Sequence, residues 1–299
     1  MGTMSIGLAQ AQITQVVSEK AYTCLTSEGE KAIPACTDVL RTEKPWGFLR
    51  ASILVQRGLA YERAGQKDLA HDDFVSATDF KPDGTNGYMI RAVAYTQLGD
   101  HAKAIADYDI AIRMEPRNAT AYHDRGIAYL NMQQYERAIA DFTAANRWHP
   151  NDPDTLLARA ESYRMTENAA LAAPDYSRVI DLKPDSADAY GGRCWARAAL
   201  GQELDGALTD CNEALRTKAG DPNILSSRAL VAFRAANYAA AITDCSTILN
   251  QYSDARCLYL RGLAKLKAGD LPGGNTDILA ARSLDATIAE SFKKVGIGP

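Results

Sequence analysis

From Tyr122 to Pro150 the chain reads YHDRGIAYLNMQQYERAIADFTAANRWHP: an aromatic, an Arg-Gly pair, a second aromatic, an Ala-Ile pair, Phe142, Ala145 and a closing Pro. Most of the chain repeats that order. With Gly126 at the eighth place, one frame fits 51–84, 85–118, 119–152 and 153–186 without a gap, then 187–221, 222–254 and 255–288 with lengths that differ by one. Ahead of these, 13–50 holds a degenerate unit in which Ala32-Ile33 matches the Ala-Ile pair. A unit of about 34 residues cannot bury its apolar face alone, so neighbouring units must stack on one another.

The local signals in each unit are helical. Asp152-Pro153 and Asp221-Pro222 read as an N-cap followed by Pro at the first helical position, where the missing amide donor costs nothing. Pro82, Pro116, Pro150 and Pro184 each stop a second helix. Between these signals Ala, Gly and Leu recur at three- and four-residue spacing, which gives two amphipathic helices per unit. Ala70, Ala104, Ala138 and Ala172 are the small residues that let the helices approach. Two features work against the pattern. Pro174 predicts a kink or a late start in its helix, and Pro272-Gly273-Gly274 predicts a weakened second helix and a fraying last unit. A short helix over 287–295, with Ile288 and Phe292 on one face, is expected to cap the stack.

Arg recurs at one place in every good unit (Arg57, Arg91, Arg125, Arg159, Arg193, Arg228, Arg261) and Asp at another (Asp73, Asp107, Asp141, Asp175, Asp210, Asp244, Asp277). The members of each pair flank the turn at similar distances, so they meet across a hairpin or along the stack. Each guanidinium then has a carboxylate in reach, which makes the series structural rather than a rail for phosphate.

The six cysteines fall into three sets around turns: Cys24 with Cys36, Cys194 with Cys211, and Cys245 with Cys257. Residues equidistant from a turn face each other, so neighbour disulfides are the expected pairing, and they imply an oxidising compartment. Cys36, Cys211 and Cys245 also stand where Phe74, Tyr108, Phe142 and Tyr176 stand in other units. The alternative is six small buried thiols. Residues 1–12 read as a leader or the remnant of a signal segment, because Ala9-Gln10-Ala11 has the small-x-small form of a cleavage site. Periplasmic or other exported localisation is expected on both grounds, with the cytoplasm as the alternative.

The order of residues in these units resembles the tetratricopeptide repeat, a helix-turn-helix unit of the same period. That resemblance implies an all-α, right-handed α-solenoid of about eight repeats with a short C-terminal capping helix. The division is 1–12 as leader, 13–50 as a degenerate N-terminal repeat, 51–288 as seven repeats, and 289–299 as cap and tail. The resemblance further implies that first helices line a concave, partner-binding groove. Carried onto this chain, the inward places hold Gln56, Met89, Ile90, His123, Ile127, Asn131, Leu157, Glu161, Arg164, Trp195, Ser227, Phe233 and Tyr259. Trp195 stands out because Gly191 and Gly192, one turn earlier, leave its ring open to a partner. The family's carboxylate clamp of Lys, Asn and Arg is absent, since Val55, Leu59, Met89 and Val93 occupy its fifth and ninth places in the first two units.

A net charge of −4 offers no general attraction to nucleic acid, and no apolar run reaches the roughly 20 residues of a membrane span. His71, His101, His123 and His149 lie in separate units and belong to no metal or nucleophile motif. Neither a CxxC nor a phosphate-binding loop occurs, so no metal or cofactor is expected. The expected function is a non-enzymatic scaffold or adaptor for a peptide or helix of another protein. The rival is a carrier of a small molecule or lipid near Trp195 and Phe233. An enzyme is a distant third, with His123 and Glu161 as its only polar nominees.

Overall fold

A computed structural model describes residues 18–27, 29–294 and 296–298. The described residues form seventeen α-helices and one short 3-10 turn, with no strand among them. The expected leader over 1–12 lies outside the described residues. Two compact units divide the chain between Pro150 and Asn151.

The first unit contains α1 (Glu19–Thr26), α2 (Ala32–Thr42), α3 (Gly47–Arg63), α4 (Lys67–Thr78), α5 (Thr85–Gln97), α6 (His101–Met114), α7 (Ala119–Asn131) and α8 (Tyr135–Trp148). Successive helices pair as hairpins, each second helix also packs on the following first helix, and α1, α3, α5 and α7 lie side by side. Helix starts follow local chemistry: the Asn118 side chain accepts from the Ala121 amide at 3.0 Å and caps α7. Hairpins close through glycine. A Cβ on Gly126 would sit 2.7 Å from the Phe142 ring, and one on Gly58 would sit 2.7 Å from the Phe74 ring. Each ring is fully buried, a gain of roughly 1.5–3 kcal/mol apiece.

The second unit contains α9 (Pro153–Met165), α10 (Ala169–Leu182), α11 (Ala187–Leu200), α12 (Leu204–Thr217), α13 (Pro222–Arg234), α14 (Tyr238–Leu249), α15 (Ala255–Lys267), α16 (Leu271–Leu284) and α17 (Ile288–Lys294). Its first helices α9, α11, α13 and α15 again form one layer. Asp152 and Asp221 cap α9 and α13, each followed by Pro at the helix start. Helix α17 closes the unit on α15 and α16, with Ile288 and Phe292 buried and the Phe292 ring 5.0 Å from Tyr259.

Of the expectations about prolines, the late start at Pro174 and the weak helix at Pro272 are corrected. Helix α10 runs unbroken from Ala169 to Leu182 with Pro174 inside it, so it does not start late. Helix α16 is regular: Pro272 falls in its first turn, where it fits, and Asp270 caps it by accepting from the Gly273 amide at 3.0 Å. Gly274 is needed there, because a Cβ on it would lie 2.8 Å from the Gly262 carbonyl oxygen of α15. Gly262 and Gly274 together let the two helices come into close contact.

The Arg and Asp series pair within hairpins. In all seven pairs, Nε and Nη2 of the Arg donate to the two oxygens of the Asp in a parallel fork, at 2.7–2.8 Å. The carboxylates are buried. In five pairs the remaining nitrogen reaches the preceding second helix: Arg57 to Thr37, Arg125 to Asp109, Arg193 to Ser177, Arg228 to Asn212 and Arg261 to Ser246. The ladder therefore closes each hairpin on itself and, in those five cases, also ties it to the one before. The Asp fork raises the pKa of each guanidinium that it holds, and the group stays charged.

Candidate partner-binding surface

Second helices back the first-helix layer in each unit, so the layer's other face is where side chains remain for a partner. In the first unit, Met89, His123 and Ile127 are half-buried on that layer and Asn131 is exposed. Met89 accepts a weak hydrogen bond from Asn118, and the His123 ring lies 5.7 Å from Phe142, tilted by 57°. Gln56 is drawn inward, its amide donating to the Ser27 carbonyl at 2.9 Å. Ile90 is 2% exposed and belongs to the core with Val55, Leu59 and Val93, which removes it from the candidate contacts.

In the second unit, Leu157, Glu161, Arg164, Trp195 and Phe233 are half-buried on the layer. Leu157 and Trp195 pack against the cluster around Tyr176, and the Phe233 ring meets Tyr238 edge-on at 5.6 Å. Glu161 and Arg164 pair with each other at 2.7 Å. Two expected contacts are corrected. Ser227 is buried and donates to the Asn223 carbonyl of its own helix, and Tyr259 is 1% exposed beneath Phe292. The capping helix, which covers the last first-helix, is the physical reason for the second correction.

Sequence reasoning missed Asp124. It sits at the sixth place of its unit, beside His123, yet it is buried, and burial pushes its carboxyl pKa up to about 7. Burial, then the charge of Asp124, raises the pKa of the Tyr108 hydroxyl. The available signal was an Asp where other units carry Gln56, Ile90 or Gly192. The Asn118 side chain is engaged at both ends: its amide nitrogen donates to Glu115 while its oxygen caps α7.

Two of the three expected cysteine pairs are disulfides. Cys24 joins Cys36 across the α1–α2 hairpin, and Cys194 joins Cys211 across α11–α12. The third expectation is corrected, because Cys245 and Cys257 are buried thiols. They lie on α14 and α15, helices of successive hairpins, so the pair spans two repeats, and hydrogen bonding between the thiols together with burial pushes the Cys245 pKa up. Among the described residues no group of three or more His, Cys, Asp or Glu is placed to hold a metal, and no helix is long and apolar enough to cross a membrane.

Stacked hairpins closed by an aromatic over glycine, with one helix of each pair in an exposed layer, define a helical-repeat protein of the solenoid class. Residues 55–119 and 90–160 match two family models, each described as tetratricopeptide repeat. No curated protein matches the sequence. Solved structures share the fold. A tetratricopeptide repeat protein from Parabacteroides merdae is 19% identical, with a TM-score of 0.54 over 83% of this chain and 99% of its own. YrrB, described as a tetratricopeptide repeat protein with an unusual peptide-binding site, is 19% identical, with a TM-score of 0.52 over 68% of this chain and 96% of its own. PilW, a type IV pilus biogenesis factor, is 16% identical, with a TM-score of 0.55 over 71% of this chain and 98% of its own.

Proposed function

We propose that this protein is a non-enzymatic scaffold that binds a peptide or helix of another protein on the first-helix layer of its repeats, in an exported compartment. The observation that carries the reading is the layer of α9, α11 and α13, where Leu157, Trp195 and Phe233 keep part of their apolar surface outward while second helices fill the core behind them. Partly open aromatic rings on a rigid backing are what a peptide uses as anchors. YrrB's peptide-binding site and PilW's part in pilus biogenesis support an interaction role for such repeats. The two disulfides support export, because thiols stay reduced in most cytoplasms.

The state of Glu161 disfavours an enzyme reading. Both oxygens of Glu161 are held by Tyr176 and Arg164, so it is not placed as a general base. For a carrier, Trp195 and Phe233 would have to line an enclosed space; here both rings lie half-exposed on helix faces.

The test is binding by the full chain to an immobilised peptide library, with Trp195→Ala and Phe233→Ala as comparisons. Selective capture that falls in both variants is expected. Tryptophan fluorescence that responds to lipid extract, with no peptide captured, would replace the scaffold with a carrier.

A further inference from the structure

In the first unit the end of α8 and the turn between α6 and α7 form an edge that is both cationic and apolar. Trp148, the last residue of α8, is exposed, and two guanidiniums lie against its ring: Arg147 at 5.1 Å from the ring centre and Arg117, from the turn, at 5.3 Å. Arg113 stands in the last turn of α6, and Met114, which ends that helix, is exposed beside it. Glu115, Pro116, Arg117 and Asn118 line an open hollow of about 440 Å³, and the Glu115 carboxylate is occupied by the Asn118 amide at 3.0 Å. Among the described residues Arg113, Arg117 and Arg147 form no ion pair. The cations that follow α10 and α12 are neutralised, Lys183 by Asp154 at 2.7 Å and Lys218 by Asp188. Asn86 and Thr120 stand at the corresponding places of the 85–118 and 119–152 repeats, so no such acid is supplied there.

The helix dipole accounts for a cation in a last turn, as with Arg113 and Arg147, but not for Arg117 in a turn or for an indole shared by two guanidiniums. Like charges held at one ring repel each other, and an anion from outside the chain lowers that energy. Guanidinium forks match phosphate oxygens, and an indole, apolar with one polar edge, favours the level of lipid headgroups. We infer that this edge docks on an anionic lipid surface, with Arg113, Arg117 and Arg147 on headgroup phosphates and Trp148 and Met114 entering the interface. The exposed Trp148 and Met114 favour a lipid surface over a soluble anion, which offers apolar side chains nothing to enter. Because the whole chain carries −4, general attraction does not bring it to such a surface, and this edge sets the orientation of approach. Each arginine at an anionic surface multiplies partitioning about fivefold, so three give about a hundredfold. The docking goes beyond the peptide reading and uses none of the residues assigned to it.

The experiment is co-sedimentation of the full chain with vesicles of phosphatidylglycerol mixed into phosphatidylcholine, and with vesicles of phosphatidylcholine alone, at low and at physiological salt. The variants are Arg117→Gln/Arg147→Gln, Trp148→Ala and, as a charge-matched control at exposed arginines elsewhere, Arg63→Gln/Arg282→Gln. Thermal denaturation checks that each is folded. The unmodified chain is expected to sediment with the anionic vesicles only, and more weakly as salt rises. Arg117→Gln/Arg147→Gln should lower partitioning about tenfold or more, Trp148→Ala severalfold, and the control not at all. Equal sedimentation with both kinds of vesicle, or a loss in the control as large as in Arg117→Gln/Arg147→Gln, would overturn the inference. Release from the vesicles by inorganic phosphate, but not by chloride at the same ionic strength, would replace the lipid surface with a soluble phosphate ligand. Binding to polyglutamate through the same two arginines, with no vesicle bound, would replace it with an acidic protein. Peptide capture on the first-helix layer is read separately, and Arg117→Gln/Arg147→Gln should leave it unchanged.

Discussion

Arg125 and Asp141 face each other across the α7–α8 hairpin, with Nε and Nη2 donating to the two carboxylate oxygens at 2.8 and 2.7 Å. Nη1 of the same arginine reaches Asp109 on α6, so one side chain ties two hairpins. Repeated along the chain, this relationship explains how Arg can recur in every unit without creating a basic surface.

Because Asp141 is buried, Asp141→Ala should strand the guanidinium charge and cost on the order of 3 kcal/mol in denaturant unfolding of the first unit. Arg125 would still have Asp109, which favours the lower end of the range for such pairs. A loss under about 0.5 kcal/mol would mean that the pair behaves as an exposed one.

Gly126→Ala should be much worse than Gly84→Ala. The first places a Cβ against the Phe142 ring; the second meets nothing within 4 Å and has extended backbone. A cost of about 1–3 kcal/mol is expected at Gly126 and near zero at Gly84, read from paired melting curves. Equal costs would show that the ring moves aside freely.

Cysteine labelling should separate the pairs. In denaturant without reductant, alkylation and intact mass should show two labels, on Cys245 and Cys257, and six after reduction. Six labels before reduction would remove the disulfides and the main argument for export, whereas none would mean that the third pair is also oxidised.

Asp124 should make stability fall as pH rises. Its folded pKa of about 7 lies above the ordinary value of 3.8, so between those values the folded state binds the extra proton. Stability is then highest below the unfolded pKa and declines until pH passes the folded one. Asp124→Asn should flatten this slope between pH 4 and 7 and stabilise the protein at pH 8, on the order of a few kcal/mol at most. An unchanged slope in denaturation at pH 5 and pH 8 would show that the carboxyl is ionised throughout.

The repeat frame, the helix caps, the Arg–Asp pairing and two disulfides were legible in the sequence because each depends on spacing around a turn. Residues equidistant from a tight turn must face each other whatever surrounds the hairpin, as Cys194 and Cys211 do. Which inner places remain open depended on neighbours distant in the chain. Tyr259 stands at a groove position and is buried because α17 folds over it, and Ile90 is buried by α3 and its neighbours. Asp124 is ordinary in sequence, and only the packing around it makes ionisation costly. Gly273 and Gly274 read as helix breakers because propensity is local; the close crossing of α15 and α16 turns Gly274 into a requirement. The sequence by itself determined the hairpins and their registers through local periodicity and turn geometry. Tertiary structure decided exposure, ionisation and the Tyr176–Glu161–Arg164 hydrogen bonds, since each is set by what another helix places alongside.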